Sequence, residues 1–347
     1  MCKVFKVLFI SLLLSYTCAA QMPQLIPQPV SIKTLPGHLT INPKTTIIVY
    51  TGDNGGREMG DLLAKLLSTP MGYHLQVKNK NRNLQATALP NTISVGINLN
   101  KKEVLGDEGY TLKSTKGNVA IRANTPKGLF YGLQTLLQLL PPSIEGDKKV
   151  QTAWTVPAVE ITDYPRFGWR GLMRDVSRHF FTKENIKSYI DQMAKYKFNV
   201  FHWHLTDDNG WRIQINGLPQ LTDIGAWRVP RAGPFLFTAQ KGPEPDEMAT
   251  YGGFYTQDDI REVVKYAQER FITIVPEVDV PAHSMALIAS FPNLSCLGIK
   301  NPVDVGTEFT VNKDNVLCVA NDSTYLILDK IFTQVAQLFP GEYIHMG

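Results

Sequence analysis

The chain has 347 residues, 44% of them hydrophobic, and a formal charge of only +4, which is enough for about two globular domains and excludes a disordered chain. No Lys/Arg cluster interleaves with aromatics, so nucleic acid and an anionic membrane are poor partners and a neutral substrate fits better.

Residues 1–20 read as a signal peptide. Lys3 and Lys6 open it, Val7 to Leu14 is apolar, and the small Ala19 and Ala20 precede Gln21. The apolar run is short for a bilayer, and no later segment approaches the ~20 apolar residues of a membrane helix. Export to a periplasm or to the exterior is expected. Lipidation at Cys18 is the lesser alternative, because Tyr16 and Thr17 suit a lipidation signal poorly. Cleavage leaves Cys296 and Cys318, and two cysteines in one connecting region of an exported chain are expected to be bridged.

Residues 21–157 read as a small α+β domain. Strands are expected at Thr46 to Tyr50, Thr92 to Asn98, Tyr110 to Lys113 and Val119 to Ala123, divided by Gly, Asn and Pro. Met59, Leu62, Leu63, Leu66 and Leu67 keep helical spacing until Pro70, expected to stop that helix. In a second helix Thr125 caps, Pro126 suits the first turn, and Leu129, Phe130, Leu133, Leu136 and Leu137 form the buried face. His38 and His74 stand alone and suggest no chemistry.

Residues 158–347 alternate strands with helices. Trp169 to Val176, Phe198 to Leu205 and Phe271 to Val278 read as strands, and Glu342 to Met346 as the start of a fourth. Helices begin at the caps Thr182 and Thr256, and a third runs from Thr324 to Phe339. This order implies a parallel sheet, as a barrel or an open doubly wound sheet, and no Gly-rich phosphate loop follows the first strand.

Polar residues gather where these strands end. Asp175, Arg178 and His179 follow the first; His202, His204, Asp207 and Asp208 crowd the second; Glu277, Asp279 and His283 close the third. Strand ends hold side chains rigidly while loops converge, which is where βα folds place chemistry. A buried Asp beside a His fixes the imidazole tautomer, and an Arg can grip sugar hydroxyls or pair with Asp175. His202, His204, Asp207 and His283 are also candidate metal ligands, although no third ligand stands at a diagnostic spacing. The aromatics from Trp211 to Tyr255, including Trp227, Phe235, Phe237, Tyr251 and Phe254, suit sugar stacking or plain packing.

YPRFGWRGLMRDVSRHFF, FNVFHWHLTDDNGWR, PEVDVPAHS and YIHMG resemble, in order, motifs of glycoside hydrolase family 20, the β-N-acetylhexosaminidases. The resemblance implies a (β/α)8 TIM barrel, with its first half in 158–347, preceded by a small non-catalytic domain. It implies exo-acting removal of terminal N-acetylglucosamine or N-acetylgalactosamine, with the sugar's acetamido oxygen as nucleophile and without cofactor or metal. Arg178 resembles the Arg that binds hydroxyls of the terminal sugar. Asp207 and His283 resemble the pair that tunes the acid/base Glu, and Asp279 a pocket carboxylate. The family's catalytic Asp-Glu pair would follow Gly347, so residues 1–347 alone are expected to be inactive. Two departures are Arg174, where the family has an apolar residue, and Ala282, where a Gly commonly precedes the His. A non-hydrolytic glycan-binding protein and a metal-dependent hydrolase remain the alternatives.

Overall fold

The computed structural model describes residues 23–50, 52–53, 55–81, 89–231, 242–306 and 314–347. The expected signal peptide, residues 1–20, lies outside them, as do Phe235 and Phe237. The chain divides into two compact units, Met1–Tyr164 and Pro165–Gly347.

In the first unit, β1 (Ser31–Ile41), β2 (Thr46–Tyr50), β3 (Gln76–Lys80), β4 (Thr92–Ile97), β5 (Tyr110–Ser114), β6 (Asn118–Ala123) and β7 (Trp154–Asp163) form one sheet in the order β1-β7-β5-β6-β4-β2-β3. The β6-β4-β2-β3 side is parallel and the rest antiparallel. Helices α1 (Gly56–Met71) and α2 (Pro126–Leu139) pack on each other and on the sheet. Thr125 caps α2 by accepting the Gly128 N–H, with Pro126 in the first turn. Pro70 does not stop α1. It forgoes one intrahelical bond, and the helix ends at Gly72, whose φ of 71° needs no Cβ clearance and whose N–H reaches Ser68 O.

The expected boundary after Pro157 falls inside β7, whose pairing with β1 and β5 completes the first sheet. Proline breaks most interior strands because it cannot donate to the ladder. Here Pro157 lies opposite His38, where β1 slips register between Thr34 and His38, so the irregularity of one strand accommodates the other.

In the second unit the elements are β8 (Gly171–Asp175), α3 (Lys183–Lys195), β9 (Val200–Asp207), β10 (Gly210–Trp211), α4 (Gln220–Asp223), β11 (Trp227–Arg228), β12 (Tyr251–Gly252), α5 (Gln257–Gln268), β13 (Thr273–Val278), α6 (Met285–Ser290) and α7 (Asp322–Leu338). β8 and β13 flank β9 in parallel, and β10 folds back antiparallel on its end. Thr182 and Thr256 cap α3 and α5, the latter in a capping box with Asp259. Ile186, Ile190 and Met193 on α3, and Ile260, Val263 and Ala267 on α5, are buried.

β9 is covered on both faces, which sorts its residues by parity. Phe201 and Trp203 stack with Tyr189 and Tyr255, with ring centroids 4.8–5.8 Å apart. His202 and His204 point the other way, toward Glu277. The fourth strand expected at 342–346 is reduced to one parallel bridge, His345 to Glu277, with His345 N–H bonded to Pro276 O at 2.9 Å. Arg174 is half-buried, and its partners are aromatic: the guanidinium lies 3.7 Å from the centroid of Phe181 and 5.7 Å from that of Tyr189. Among the described residues no helix is long and apolar enough to cross a membrane.

Candidate active site

Parallel register sets Asp175 of β8, His204 of β9 and Glu277 of β13 in one row across the sheet. Asp175 Oδ1 accepts the backbone N–H groups of Ser177 and Arg178, turning the chain sharply after β8. That turn sends Arg178 back over the row. Its Nη1 donates to Asp175 Oδ2 at 3.0 Å and its Nη2 pairs with Asp207. The guanidinium thus bridges two carboxylates while keeping 28% of its side chain exposed, so it can still meet a ligand.

Asp207, 1% exposed, meets four donors. Oδ1 accepts from Asp208 N–H (2.7 Å) and His283 Nδ1 (3.0 Å), and Oδ2 faces Arg178 and His204 Nε2 (2.9 Å). The structure therefore joins Arg178, Asp207 and His283 directly. His283 adopts φ of 50°, a left-handed conformation that turns its ring back toward β9. Asp279 does not join these bonds: its N–H donates to Thr206 Oγ1, and its carboxyl lies within 4.8 Å of His204 and Asp207. Burial, reinforced by the charge of Asp207, pushes Asp279 up to about 6.

Asp208 plays a structural part. It accepts from Met285 N–H and from Asn315 Nδ2, both at 3.0 Å, and burial raises its pKa. Asn315 sits on the segment leading to Cys318, which is joined to Cys296 by a disulfide across 22 positions of sequence. The bridge thereby ties down the loop that holds Asp208.

Glu277, read in the sequence only as closing the third strand, and Arg212, not singled out there, are both buried and multiply bonded. Glu277, 4% exposed, meets His202 Nε2 and His204 Nδ1 (2.6 Å) through Oε2, and its Oε1 lies 3.3 Å from His345 Nδ1. Burial opposes its charge, but the hydrogen bonds from His202 and His204 outweigh it and hold Glu277 well below the usual carboxylate range. Its position at the strand end was visible in sequence; its role depended on the register with His204. Arg212, fully buried, gives all five N–H groups to backbone carbonyls. Nε reaches Val176 (3.0 Å), Nη1 reaches Ala226 (2.6 Å) and Gly253 (3.1 Å), and Nη2 reaches Ser177 (2.6 Å) and Asn209 (3.4 Å). Burial lowers its pKa to about 10, leaving it charged at neutral pH. No sequence signal marks such a residue, because its partners are main chain.

Among the described residues, three overlapping sets have ligand atoms close enough for a cation: His202, His204 and Glu277; His204, Asp207 and Asp279; Asp207, Asp208 and His283. His204 turns each ring nitrogen to a different carboxylate, an ion-pair arrangement that calls for protonated nitrogens rather than the bare ones a metal needs. Of the aromatics, Trp211 and Tyr255 are core residues, whereas Tyr251 is half-buried and its hydroxyl meets His179 Nδ1 at 2.9 Å.

The profile described as glycosyl hydrolase family 20, catalytic domain, matches residues 167–347, and that of glycosyl hydrolase family 20, domain 2, matches residues 22–164. The first span alone exceeds half the chain. The chain belongs to glycosyl hydrolase family 20. It is 38% identical over 325 residues to a beta-hexosaminidase of Porphyromonas gingivalis, covering 93% of this chain and 38% of that relative. It is 42% identical over 258 residues to one of Vibrio furnissii, covering 73% and 39%. The family 20 beta-N-acetylhexosaminidase of Streptomyces coelicolor superposes with a TM-score of 0.78 at 37% identity, over 93% of this chain and 59% of that one. A mutant Streptomyces plicatus beta-hexosaminidase in complex with product (GlcNAc) gives 0.78 at 38% identity, over 93% and 58%. The family 20 chain thus spans about two fifths of those two curated relatives. Its parallel strand–helix units are those of the family's α/β barrel, preceded by the α+β domain 2.

Proposed function

We propose that the whole protein is an exo-acting β-N-acetylhexosaminidase, removing terminal N-acetylglucosamine or N-acetylgalactosamine with retention, the substrate's acetamido oxygen serving as nucleophile. The observation that carries this reading is the Arg178 guanidinium, fixed by Asp175 and Asp207 at the ends of parallel strands yet still part-exposed, in a family 20 chain. A guanidinium has five N–H groups, so one that pairs with Asp175 and Asp207 keeps others to offer to hydroxyls of a sugar. Asp207 fixes the Nδ1 side of His283, whose ring then orients and tunes the general acid of the resemblance. Asp279, with its carboxyl pushed up to about 6, serves as the pocket carboxylate of the resemblance.

The basic, apolar and small-residue sequence of residues 1–20 supports export, to a periplasm or the exterior. The test of the activity is release of the aryl group from an aryl β-N-acetylglucosaminide by the protein expressed from its whole reading frame, without added metal. Undiminished turnover in a chelator is the expected result. Complete inactivation that metal restores would replace the substrate-assisted scheme with metal-assisted hydrolysis.

A further inference from the structure

We infer that His204 is a positioning residue of this site: a buried imidazolium that donates one N–H to Asp207 and the other to Glu277, and so fixes the carboxylate that holds Arg178 and His283. The inference deepens the hydrolase reading above and relies on it for its kinetic half only.

The count of donors and acceptors carries it. His204 is 3% exposed, with Nε2 at 2.9 Å from Asp207 and Nδ1 at 2.6 Å from Glu277. A neutral imidazole has one N–H, so one of these short contacts would set a bare nitrogen against a carboxylate oxygen, a repulsion that a buried site does not screen. The other escape is a proton on Asp207 or Glu277. Asp207 is already surrounded by Arg178, the Asp208 N–H and His283, and Glu277 by His202, all suited to an anion. Arg178 Nη1, 3.1 Å from His204 Nε2, gives one N–H to Asp175 and has a second that a bare Nε2 would accept, but the closer approach of Asp207 Oδ2 to the same nitrogen, 2.9 Å, sets an N–H there. The charged groups facing His204 from the packed elements are Asp175 and Arg178 after β8, Asp207 on its own strand, and Glu277 and Asp279 at the end of β13. The histidines about them are His202 and His345 at Glu277 and His283 at Asp207. Burial opposes the cation, yet the hydrogen bonds to Asp207 and Glu277 overcome it and push His204 up to about 9.

Two arms test this on the whole protein. In histidine labelled with nitrogen-15, the buried ring, recognised by its slowly exchanging N–H protons, should show two N–H signals at pH 7.5. A single N–H signal there would overturn the imidazolium. Glu277→Gln should cost that ring one of its N–H signals at the same pH; keeping both would remove Glu277 from the assignment. In the second arm, Glu277→Gln should lower kcat on the aryl glycoside by about tenfold to a hundredfold with KM within about threefold, as displacement of a reacting group does without loss of binding contacts. Equal loss in a variant whose ring keeps both signals would make the effect merely structural and refute the positioning role. If the parent protein cleaves no hexosaminide, the hydrolase reading fails, while the spectrum still decides the state of His204.

Discussion

Replacing Asp207 with Asn tests the centre of the site at nearly constant volume. Both carboxylate oxygens are occupied by donors: Asp208 N–H and His283 on one, Arg178 and His204 on the other. An amide has one oxygen and one NH2 group, so whichever way it turns, its own donors face two others in a position 1% exposed. Arg178 and His204 also lose a shared anion. Breaking a buried ion pair by removing one partner typically costs about 3–5 kcal/mol. For a unit of this size, each kcal/mol moves the melting temperature by roughly 2–4 °C, so the barrel unit should melt about 10 °C lower. On an aryl hexosaminide, kcat should fall about a hundredfold or more with a smaller change in KM, as when a proton-transfer group is mistuned. His283→Ala should cause a similar loss, and the double variant should add little, because both act through one contact. Calorimetry and steady-state kinetics on the three variants measure this. A melting temperature within about 2 °C of the parent together with unchanged kcat would show that the buried carboxylate of Asp207 supports neither stability nor catalysis, and would refute the reasoning.

Arg178→Lys should raise KM about tenfold or more with a smaller effect on kcat, since an ammonium cannot bridge Asp175 and Asp207 and still present a fork; an unchanged KM counts against sugar contact. Replacing both Cys296 and Cys318 with Ser should destabilise by about 3 kcal/mol on the chain-entropy model for a loop closed across 22 positions; freely alkylated thiols in the native, unreduced parent would contradict the bridge. Asp279 should make stability fall as pH rises from about 4 to about 6, because its folded carboxyl, pushed up to about 6, holds a proton that the unfolded chain has already released. Asp279→Asn should flatten the melting-temperature curve in that window, and an unaltered slope would assign the effect elsewhere.

The helices were legible because local signals act within one turn: Thr125, Thr182 and Thr256 each accept an N–H from their own first turn. Strands were legible where burial imposes apolar runs, as in β2 and β9. β3, with the sequence QVKNK, was missed because it is a mostly polar edge, and β1 and β7 because Pro36, Gly37 and Pro157 interrupt them at a shared irregularity. At the site, the residues closing each strand were legible from composition alone, and Arg178, Asp207 and His283 do meet. Their connection through His204 to Glu277 was not, because only the parallel register of β9 and β13 places those two side by side. Arg174 was read only as a departure from the family's apolar residue, because the ring faces of Phe181 and Tyr189 that partner it come from separate stretches of sequence.

Arg212 has a consequence for motion. One guanidinium holds carbonyls from Val176, Ser177, Asn209, Ala226 and Gly253, and its own backbone is held by Leu205 O and by the Tyr255 N–H. Gly210 has no side chain because a methyl there would run into that guanidinium. Segments far apart in sequence therefore cannot loosen one at a time: freeing any of them leaves a buried N–H unpaired, while the others still hold the cation in place. Amide hydrogen exchange around these segments should follow one shared opening free energy, and denaturant should release them together rather than in sequence. A substrate entering beside Arg178 would then meet a rim that opens as a unit or not at all.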